Sequence, residues 1–175
     1  MDARPRPRRT VLLTLVAVAV LVADVVSKVM VVANLQTGPP IKLLGGLFYL
    51  VHTRNTGAAF SLASGFTIVL TCIAIGVVIF IARIAGRLYS TGWAVALGLV
   101  MGGATGNLAD RLFRDPGPMR GGVVDFISLL DPVSPPFPVF NLADSALVIG
   151  VCLAVLLELR GIRIDGRRVK TSDSD

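Results

Sequence analysis

Two aspartates stand apart from the other ionisable residues of this sequence. Asp125 lies in the apolar stretch Val-Val-Asp-Phe, and Asp144 lies in Phe-Asn-Leu-Ala-Asp-Ser, at the start of an apolar run. Two carboxylates that share an apolar site cannot both ionise cheaply, so one keeps a proton while the other stays charged. Such a pair can activate water against a peptide carbonyl and then protonate the leaving amine. A lone aspartate at position 144 could equally cap the start of a helix, and the sequence leaves both readings open.

Other catalytic chemistries find few candidate residues. His52 is the single histidine, which leaves no histidine cluster for a metal and no Ser-His-Asp triad elsewhere. Cys72 and Cys152 both lie inside apolar runs, where small membrane-buried side chains are the expected role and a disulfide or zinc site is not. We therefore expect no metal and no cofactor.

The composition indicates a membrane protein. Of the 175 residues, 54% are hydrophobic and only 16% are charged. A membrane-crossing helix needs roughly 20 residues. We predict an integral membrane, mainly α fold with four transmembrane helices, which cover residues 11–33, 66–82, 91–111 and 141–157. The basic start followed by an apolar run resembles a secretory signal, but no persuasive cleavage site follows it, so we expect an uncleaved first span.

The basic residues predict the orientation of these spans. The chain has a net charge of +6, and its basic residues cluster at the two ends and in the loop between the second and third spans. This is the distribution expected of cytoplasmic segments, so it gives no reason to expect a nucleic-acid partner. We expect a cytoplasmic N-terminus at residues 1–10, a membrane domain at 11–158 and a flexible cytoplasmic tail at 159–175. Within the membrane domain, residues 34–65 and 112–140 are expected to be extracytoplasmic.

The extracytoplasmic segments are predicted to carry short strands. Residues 47–52, LFYLVH, are aromatic and β-branched and lie between turn-forming glycine and asparagine residues. Residues 123–127, around Asp125, form a second strand-like stretch within an irregular loop. We expect a small β-element on the outer membrane surface.

The polar residues of the spans are predicted to meet near the outer face. Asp24 lies roughly 20 Å across the membrane from the inner end of its span, and Asn107 roughly 24 Å. The fourth span enters from outside, so Asn141 and Asp144 begin in the same leaflet. Ionisable groups at this depth usually face the protein interior. Gly103, Asn107, Asp110 and Arg111 share one helical face through spacings of four, seven and eight residues.

Structural explanations remain open for several of these residues. Asp24 and Lys28 have the spacing of an ion pair that lets the span insert without net charge. Asp110 and Arg111 could form an internal salt bridge or an interfacial anchor. Gly102, Gly103 and Gly106 could serve close helix packing, which is compatible with a functional role.

Five motifs occur in order along the chain. Asp24 is followed by Lys28, and the other four are RNTGAAFS (residues 54–61), GGATGNLADR (102–111), VVDF (123–126) and FNLADS (140–145). Together they resemble the lipoprotein signal peptidase family, also called signal peptidase type II. The resemblance covers residues 24–145, which is nearly all of the membrane domain, and no motif departs from the family pattern.

The resemblance implies an activity and a site. Members of this family are aspartic endopeptidases of the bacterial inner membrane, and they cut prolipoproteins before a cysteine that carries a diacylglyceryl group. It makes Asp125 and Asp144 the catalytic pair, and it implies four transmembrane helices with an extracytoplasmic β-cradle. It also implies inhibition by globomycin and contact with membrane lipid. The residues that would bind substrate or support the pair are Asp24, Lys28, Asn55, Gly103, Asn107, Asp110, Arg111 and Asn141.

Two other classes of protein are considered beside this one. A small transporter would explain charged residues within the spans, but the polar residues lie at one depth and no polar path crosses the cytoplasmic half. A non-catalytic scaffold gives no reason for Asp125 and Asp144 to lie in apolar surroundings on the same side. Substitution of either aspartate by asparagine separates the classes, because a scaffold should tolerate it and a protease should not.

Overall fold

A computed structural model describes residues 7–56 and 65–168 of the chain. Four helices in this part are long and apolar enough to cross a membrane. They are α1 (Thr10–Leu35), α2 (Gly65–Ile84), α3 (Thr91–Phe113) and α4 (Leu142–Leu159). The four predicted spans are confirmed, and the helices extend beyond the predicted bounds by one or two residues at most of their ends. The protein is a multi-pass membrane protein.

Helix α3 is the centre of the bundle, and the other three helices pack against it. Its glycines allow this close packing, because a Cβ at Gly102 would overlap the backbone of α1 and one at Gly103 would overlap the backbone of α4. The packing reading of these glycines is therefore confirmed. Ser90 caps the start of α3 by accepting from the Trp93 amide.

A three-stranded antiparallel sheet lies at one end of the bundle, in the order β1 (Ile41–Leu43), β2 (Phe48–Asn55) and β3 (Val123–Leu129). The predicted strands at 47–52 and 123–127 are confirmed as β2 and β3, and β1 was not predicted. Register shifts between Leu50 and Thr53, where β2 carries an extra residue, and Thr53 then pairs with Asp125. Val124 and Phe126 of β3 pack against the end of α1, which joins the sheet to the membrane helices.

The other end of the bundle differs from the predicted flexible tail. After α4 the chain turns at Gly161, where φ is +65°, and a bridge pairs Ile162 with Arg168. We call residues 160–168 the C-terminal hairpin. It is held against the start of α3, because the Ile164 carbonyl accepts from the amides of Tyr89 and Ser90. The expectation of flexibility was wrong for these residues, since a pattern of charges does not reveal that a single isoleucine reaches the core.

Two further sequence expectations concern the cysteines and the motif at residues 54–61. Cys72 and Cys152 are free thiols on the outer surface of the bundle, within membrane-crossing helices. The motif at 54–61 continues into residues 57–61, which lie outside the described residues.

Candidate active site

Asn141 joins the two aspartates of the predicted pair. Its side-chain amide donates to Oδ1 of Asp125 at 2.7 Å, and its backbone amide donates to Oδ2 of Asp144 at 3.1 Å. Asn141 is completely buried, and Asp125 is 2% exposed. The structure thus brings Asp125, from β3, to Asp144, from the first turn of α4.

The start of α4 explains why Asp144 has this position. Asn141 is the N-cap, and its side-chain oxygen accepts from the Asp144 amide at 2.9 Å. The Asp144 carboxylate in turn accepts from the Asn141 backbone amide, which completes a capping box. Asn141 rather than Asp144 is thus the N-cap, and Asp144 takes part in capping as the third residue of the helix through Oδ2, while its Oδ1 points to another partner.

That partner is Asn107 of α3. Its Nδ2 donates to Oδ1 of Asp144 at 2.7 Å, while its own Oδ1 accepts from Lys28 at 3.0 Å and from Asn141 at 3.1 Å. All these atoms are buried or half-buried, so the bonds face little competition from water. Asn107 consequently holds Asp144 from α3 while Asn141 holds it from α4.

A buried ion cluster lies directly beneath these amides. Lys28 Nζ is 2.7 Å from Oδ2 of Asp24 and 2.9 Å from Oδ2 of Asp110, and the predicted pair of Asp24 and Lys28 is confirmed. Asp24 also accepts from the Ala143 amide at 3.0 Å, and Asp110 accepts from the Val124 amide at 3.2 Å. The cluster therefore ties α1 and α3 to the first turn of α4 and to β3.

A salt bridge between Asp110 and Arg111 was one of two structural alternatives left open, and it is not found among the described residues. Asp110 pairs with Lys28 and with Arg114, one turn along the helix. Consecutive helical residues point about 100° apart, whereas residues four apart share a face, which explains why Arg114 is the partner. Arg111 instead lies within electrostatic range of both Asp125 and Asp144, and its Nη1 donates to the Asn107 carbonyl at 3.5 Å.

Two of the predicted supporting residues act on the pair from other sides. Asn55, near the end of β2, hydrogen-bonds the Asp125 carboxylate. Gly103 faces the Ala143 carbonyl, where any side chain would push α4 away. All ten sequence-predicted site residues thus lie in this one network or directly against it.

The surroundings of Asp125 favour its protonated form. Burial raises its pKa first, the negative charge of Asp144 raises it further, and hydrogen bonds from Asn55 and Asn141 oppose both, so that the pKa is raised to about 6. The charge of Asp144 therefore makes Asp125 hold its proton more strongly, as the sequence argument required.

A cavity of about 500 Å³ opens over the two aspartates. Asn55, Asp125 and Asp144 form its polar part, and the rest of its wall is mainly apolar. Phe137 and Phe140 meet edge to face on one side, while Val148 and Ile149 extend along α4 toward the lipid-facing surface. The cavity can take an extended chain beside the carboxylates and a hydrophobic group along α4.

A family model described as signal peptidase (SPase) II matches residues 16–160. The chain belongs to the signal peptidase II family. It is a membrane protease of the aspartic type, and this sets aside the transporter and scaffold alternatives.

Individual members of the family match most of the chain. A lipoprotein signal peptidase of Rhodococcus jostii (strain RHA1) is 48% identical over 170 residues, which cover 95% of this chain and 83% of that protein. One of Mycobacterium avium (strain 104) is 49% identical over 170 residues, which cover 96% of this chain and 91% of that protein.

Two solved structures are also similar. Both are described as a bacterial membrane enzyme structure obtained by the in meso method, at 1.9 Å and 2.3 Å resolution. The first has a TM-score of 0.71 and 32% identity over 83% of this chain and 91% of that one. The second has a TM-score of 0.72 and 30% identity over 92% and 93%. The predicted fold, four helices with a small extramembrane sheet, is confirmed.

Some residues of the site were not predicted from the sequence. Arg114 is bound to Asp110, and the spacing of four between them could have indicated the pair. Phe137 and Phe140 form a wall of the cavity, but they lie in an irregular proline-rich segment whose path no periodicity reveals.

Proposed function

We propose that Asp125 and Asp144 are the catalytic pair with which this protease removes signal peptides from prolipoproteins. The observation that carries the proposal is the double hydrogen bonding of Asn141, which holds both carboxylates beside one apolar cavity. The two aspartates come from separate elements of the fold. Among the described residues, no lysine, arginine or histidine nitrogen lies within 4 Å of either carboxylate.

The two aspartates take different roles in this proposal. Asp125, whose pKa is raised to about 6, carries the proton below that pH and donates it to the carbonyl oxygen of the scissile bond. Asp144 accepts the proton of the attacking water and passes it to the leaving amine when the C–N bond breaks, while Asp125 regains its proton from the hydroxyl that becomes the new carbonyl. The charges support a single shared proton, because the four carboxylates of the described network exceed its three cations, Lys28, Arg111 and Arg114, by one.

The cavity supports a lipid-modified substrate. An extended peptide would pass the carboxylates between Asn55 and Phe140, with Arg111 and Asn141 near its backbone. The apolar wall at Val148 and Ile149 would receive a diacylglyceryl group, and cleavage would fall before the cysteine that carries it. Globomycin would compete for the same cavity, and membrane lipid would surround its open side.

The topology follows from the arginines. We infer that the protein lies in the bacterial inner membrane with both termini in the cytoplasm and the aspartates near the extracytoplasmic face. Residues 1–10 form the basic N-terminus, 11–158 the peptidase domain and 159–175 the cytoplasmic segment, part of which is the C-terminal hairpin. The sheet and the cavity lie at the end of the bundle opposite that hairpin.

The test is single-turnover cleavage of a diacylglyceryl-modified prolipoprotein by purified protein, with and without globomycin. Asp125→Asn and Asp144→Asn should each abolish cleavage while the protein still folds, because asparagine cannot exchange a proton with water or the leaving amine. The double variant should be no worse than either single one, as expected of residues that act as a unit. Near-normal cleavage by either single variant would contradict the assignment.

A matched control removes groups that the mechanism does not use. The double variant Cys72→Ala/Cys152→Ala should cleave normally, because both thiols lie on the outer surface of α2 and α4. Treatment with EDTA should also leave the rate unchanged. Loss of activity that zinc restores would replace the aspartic mechanism with a metal-dependent one.

A further inference from the structure

A second cavity lies at the opposite end of the bundle from the aspartates. It has a volume of about 800 Å³ and opens between the end of α2 and the C-terminal hairpin. Its walls carry three arginines, two carboxylates and three large apolar side chains: Arg87, Arg160, Arg163, Glu158, Asp165, Ile84, Leu159 and Ile164. We propose that this cavity binds the headgroup of an anionic phospholipid.

The first argument is that the fold builds the cavity. The chain turns at Gly161 directly after α4, and backbone bonds within the hairpin join Arg163 to Arg167 and to Gly166, each at 2.9 Å. Trp93 at the start of α3 donates its indole N–H to the Ile162 carbonyl at 2.6 Å. With Ile164 packed on the core, the hairpin is fixed in the position that encloses the cavity.

The second argument is the convergence of the arginines. Arg87 ends the turn after α2, whereas Arg160 and Arg163 belong to the C-terminal hairpin, so two segments that are distant in the sequence bring three arginines to one cavity. Cytoplasmic topology alone requires only that cations be present at this end of the bundle. Guanidinium groups bind phosphate oxygens in a planar, bidentate manner, which makes a phosphate the favoured anion.

The two carboxylates of the wall do not cancel this preference. Asp165 is paired with Arg167, whose Nε lies 3.7 Å from its Oδ2, just outside the cavity. Glu158 is then the one carboxylate of the wall that opposes its three arginines, so positive charge remains in excess. The oxygens of Glu158 can accept hydrogen bonds from the hydroxyls of a headgroup. The charge of the cavity therefore fits an anionic headgroup that also carries hydrogen-bond donors.

The third argument selects a lipid over a free phosphate. Ile84 and Leu159 form the membrane side of the cavity, and Leu159 is 79% exposed. Further along the same helices, Phe80 of α2 and Val155 of α4 are exposed apolar side chains that face lipid. A phospholipid can place its headgroup among the arginines and its acyl chains against these residues, as basic pockets between membrane helices do.

The test is native mass spectrometry of the full chain, released from vesicles of equal phosphatidylglycerol and phosphatidylcholine. The protein should retain phosphatidylglycerol in preference to phosphatidylcholine. Arg87→Gln/Arg163→Gln should lower that preference about thirtyfold, from the loss of two cations near the headgroup. The control Arg83→Gln/Arg168→Gln removes the same charge from the same end of the bundle outside the cavity, and it should change the preference by about twofold or less.

Three results would overturn the proposal. They are equal retention of the two lipids by the unmodified protein, an equal loss in the two double variants, and displacement of the lipid by excess free glycerol phosphate. The first means that no headgroup is selected, the second that only bulk charge matters, and the third that the cavity takes a soluble phosphate. All the arginines concerned are exposed, and a melting curve of each variant checks that it is folded. The readout is lipid retention, so it does not depend on the proposed catalytic pair.

Discussion

Nζ of Lys28 lies 3.0 Å from Oδ1 of Asn107, and this contact determines which way the Asn107 amide faces. Because Oδ1 is turned toward the ammonium group, Nδ2 is turned toward Asp144, to which it donates at 2.7 Å. A lysine buried in the membrane thus orients a carboxylate that it does not touch. The buried ion pair of α1 therefore also positions the proposed catalytic base.

The variant Asn107→Asp tests this orientation. Aspartate keeps the size of the side chain and still accepts from Lys28, but it has no N–H for Asp144 and brings a like charge to it. We expect single-turnover cleavage to fall on the order of ten- to a hundredfold, the effect of losing one hydrogen bond to a charged group. The measurement is the rate beside a melting curve in the same detergent.

Asp24→Asn is the comparison for that variant. It weakens the pairing with Lys28, which is linked to Asp144 only through the two hydrogen bonds of Asn107. It should therefore lower the melting temperature more than it lowers the rate. A large loss of rate with an unchanged melting temperature would mean that Asp24 contributes to the chemistry itself.

The pKa of Asp125 predicts the pH dependence of cleavage. Burial and the charge of Asp144 raise that pKa to about 6, so the proton is held below this pH and lost above it. If Asp125 is the acid, kcat/KM should fall as pH rises through about 6. Asn55→Ala removes a hydrogen bond that lowers the pKa, and it should move this alkaline limb to higher pH.

His52 provides the control for the pH profile. It is the single histidine of the chain, and its pKa is lowered by burial and by the charges of Arg54 and Arg114. It is not among the groups that shift the pKa of Asp125, so the variant His52→Gln should leave the alkaline limb where it is. Movement of the limb in His52→Gln, with none in Asn55→Ala, would assign it to the histidine.

Close packing of α3 against α4 gives a third prediction. In Gly103→Ala the added methyl group would overlap the Ala143 carbonyl, which is backbone and cannot rotate away. Overpacking of this kind costs about 1–3 kcal/mol, and here it also moves Asp144 away from Asn107. We expect a lower melting temperature together with a lower rate of cleavage.

Gly76→Ala is the matched substitution on α2. A Cβ at Gly76 meets nothing within 4 Å, so the change should be neutral or stabilise the helix by up to about 1 kcal/mol. Equal effects of the two substitutions on the melting temperature and the rate would contradict the prediction, because they would show that close packing at Gly103 is not the cause.

Topology is tested by labelling single cysteines in a background without Cys72 and Cys152. Positions near Arg87 and Arg168 should be shielded from an impermeant reagent added outside, and positions near Gly38 and Gly121 should react. Reaction of the C-terminal position in intact cells would invert the proposed orientation and place the aspartates on the cytoplasmic side.

The sequence predicts the helices and the clustering of their polar residues because exposing unpaired backbone groups or charged side chains to lipid costs much free energy. Apolar blocks of about 20 residues have few alternatives to a spanning helix, and Asp24, Lys28 and Asn107 must face inward at their depth. The strands at β2 and β3 follow from aromatic and β-branched residues. These parts of the fold depend on local composition, which one sequence contains.

The remaining features depend on contacts between distant segments. Asp110 can pair with Lys28 only because α1 packs against α3, and these two helices are distant in the sequence. Strand β1 is only three residues long and exists through its pairing with β2. The hairpin after α4 is held by Tyr89, Ser90 and Trp93, more than 60 residues earlier in the chain, which no local pattern reveals.

The capping box at Asn141 and Asp144 links the chemistry to the order of biosynthesis. Helix α4 is the last of the four spans to leave the ribosome, and its first turn supplies both the proposed base and the amide that holds Asp125. A nascent chain that has inserted only α1 to α3 therefore carries half a site. If Asp125 and Asp144 are the catalytic pair, proteolytic activity begins only when the last helix has docked, and incompletely assembled copies do not cleave the substrates around them.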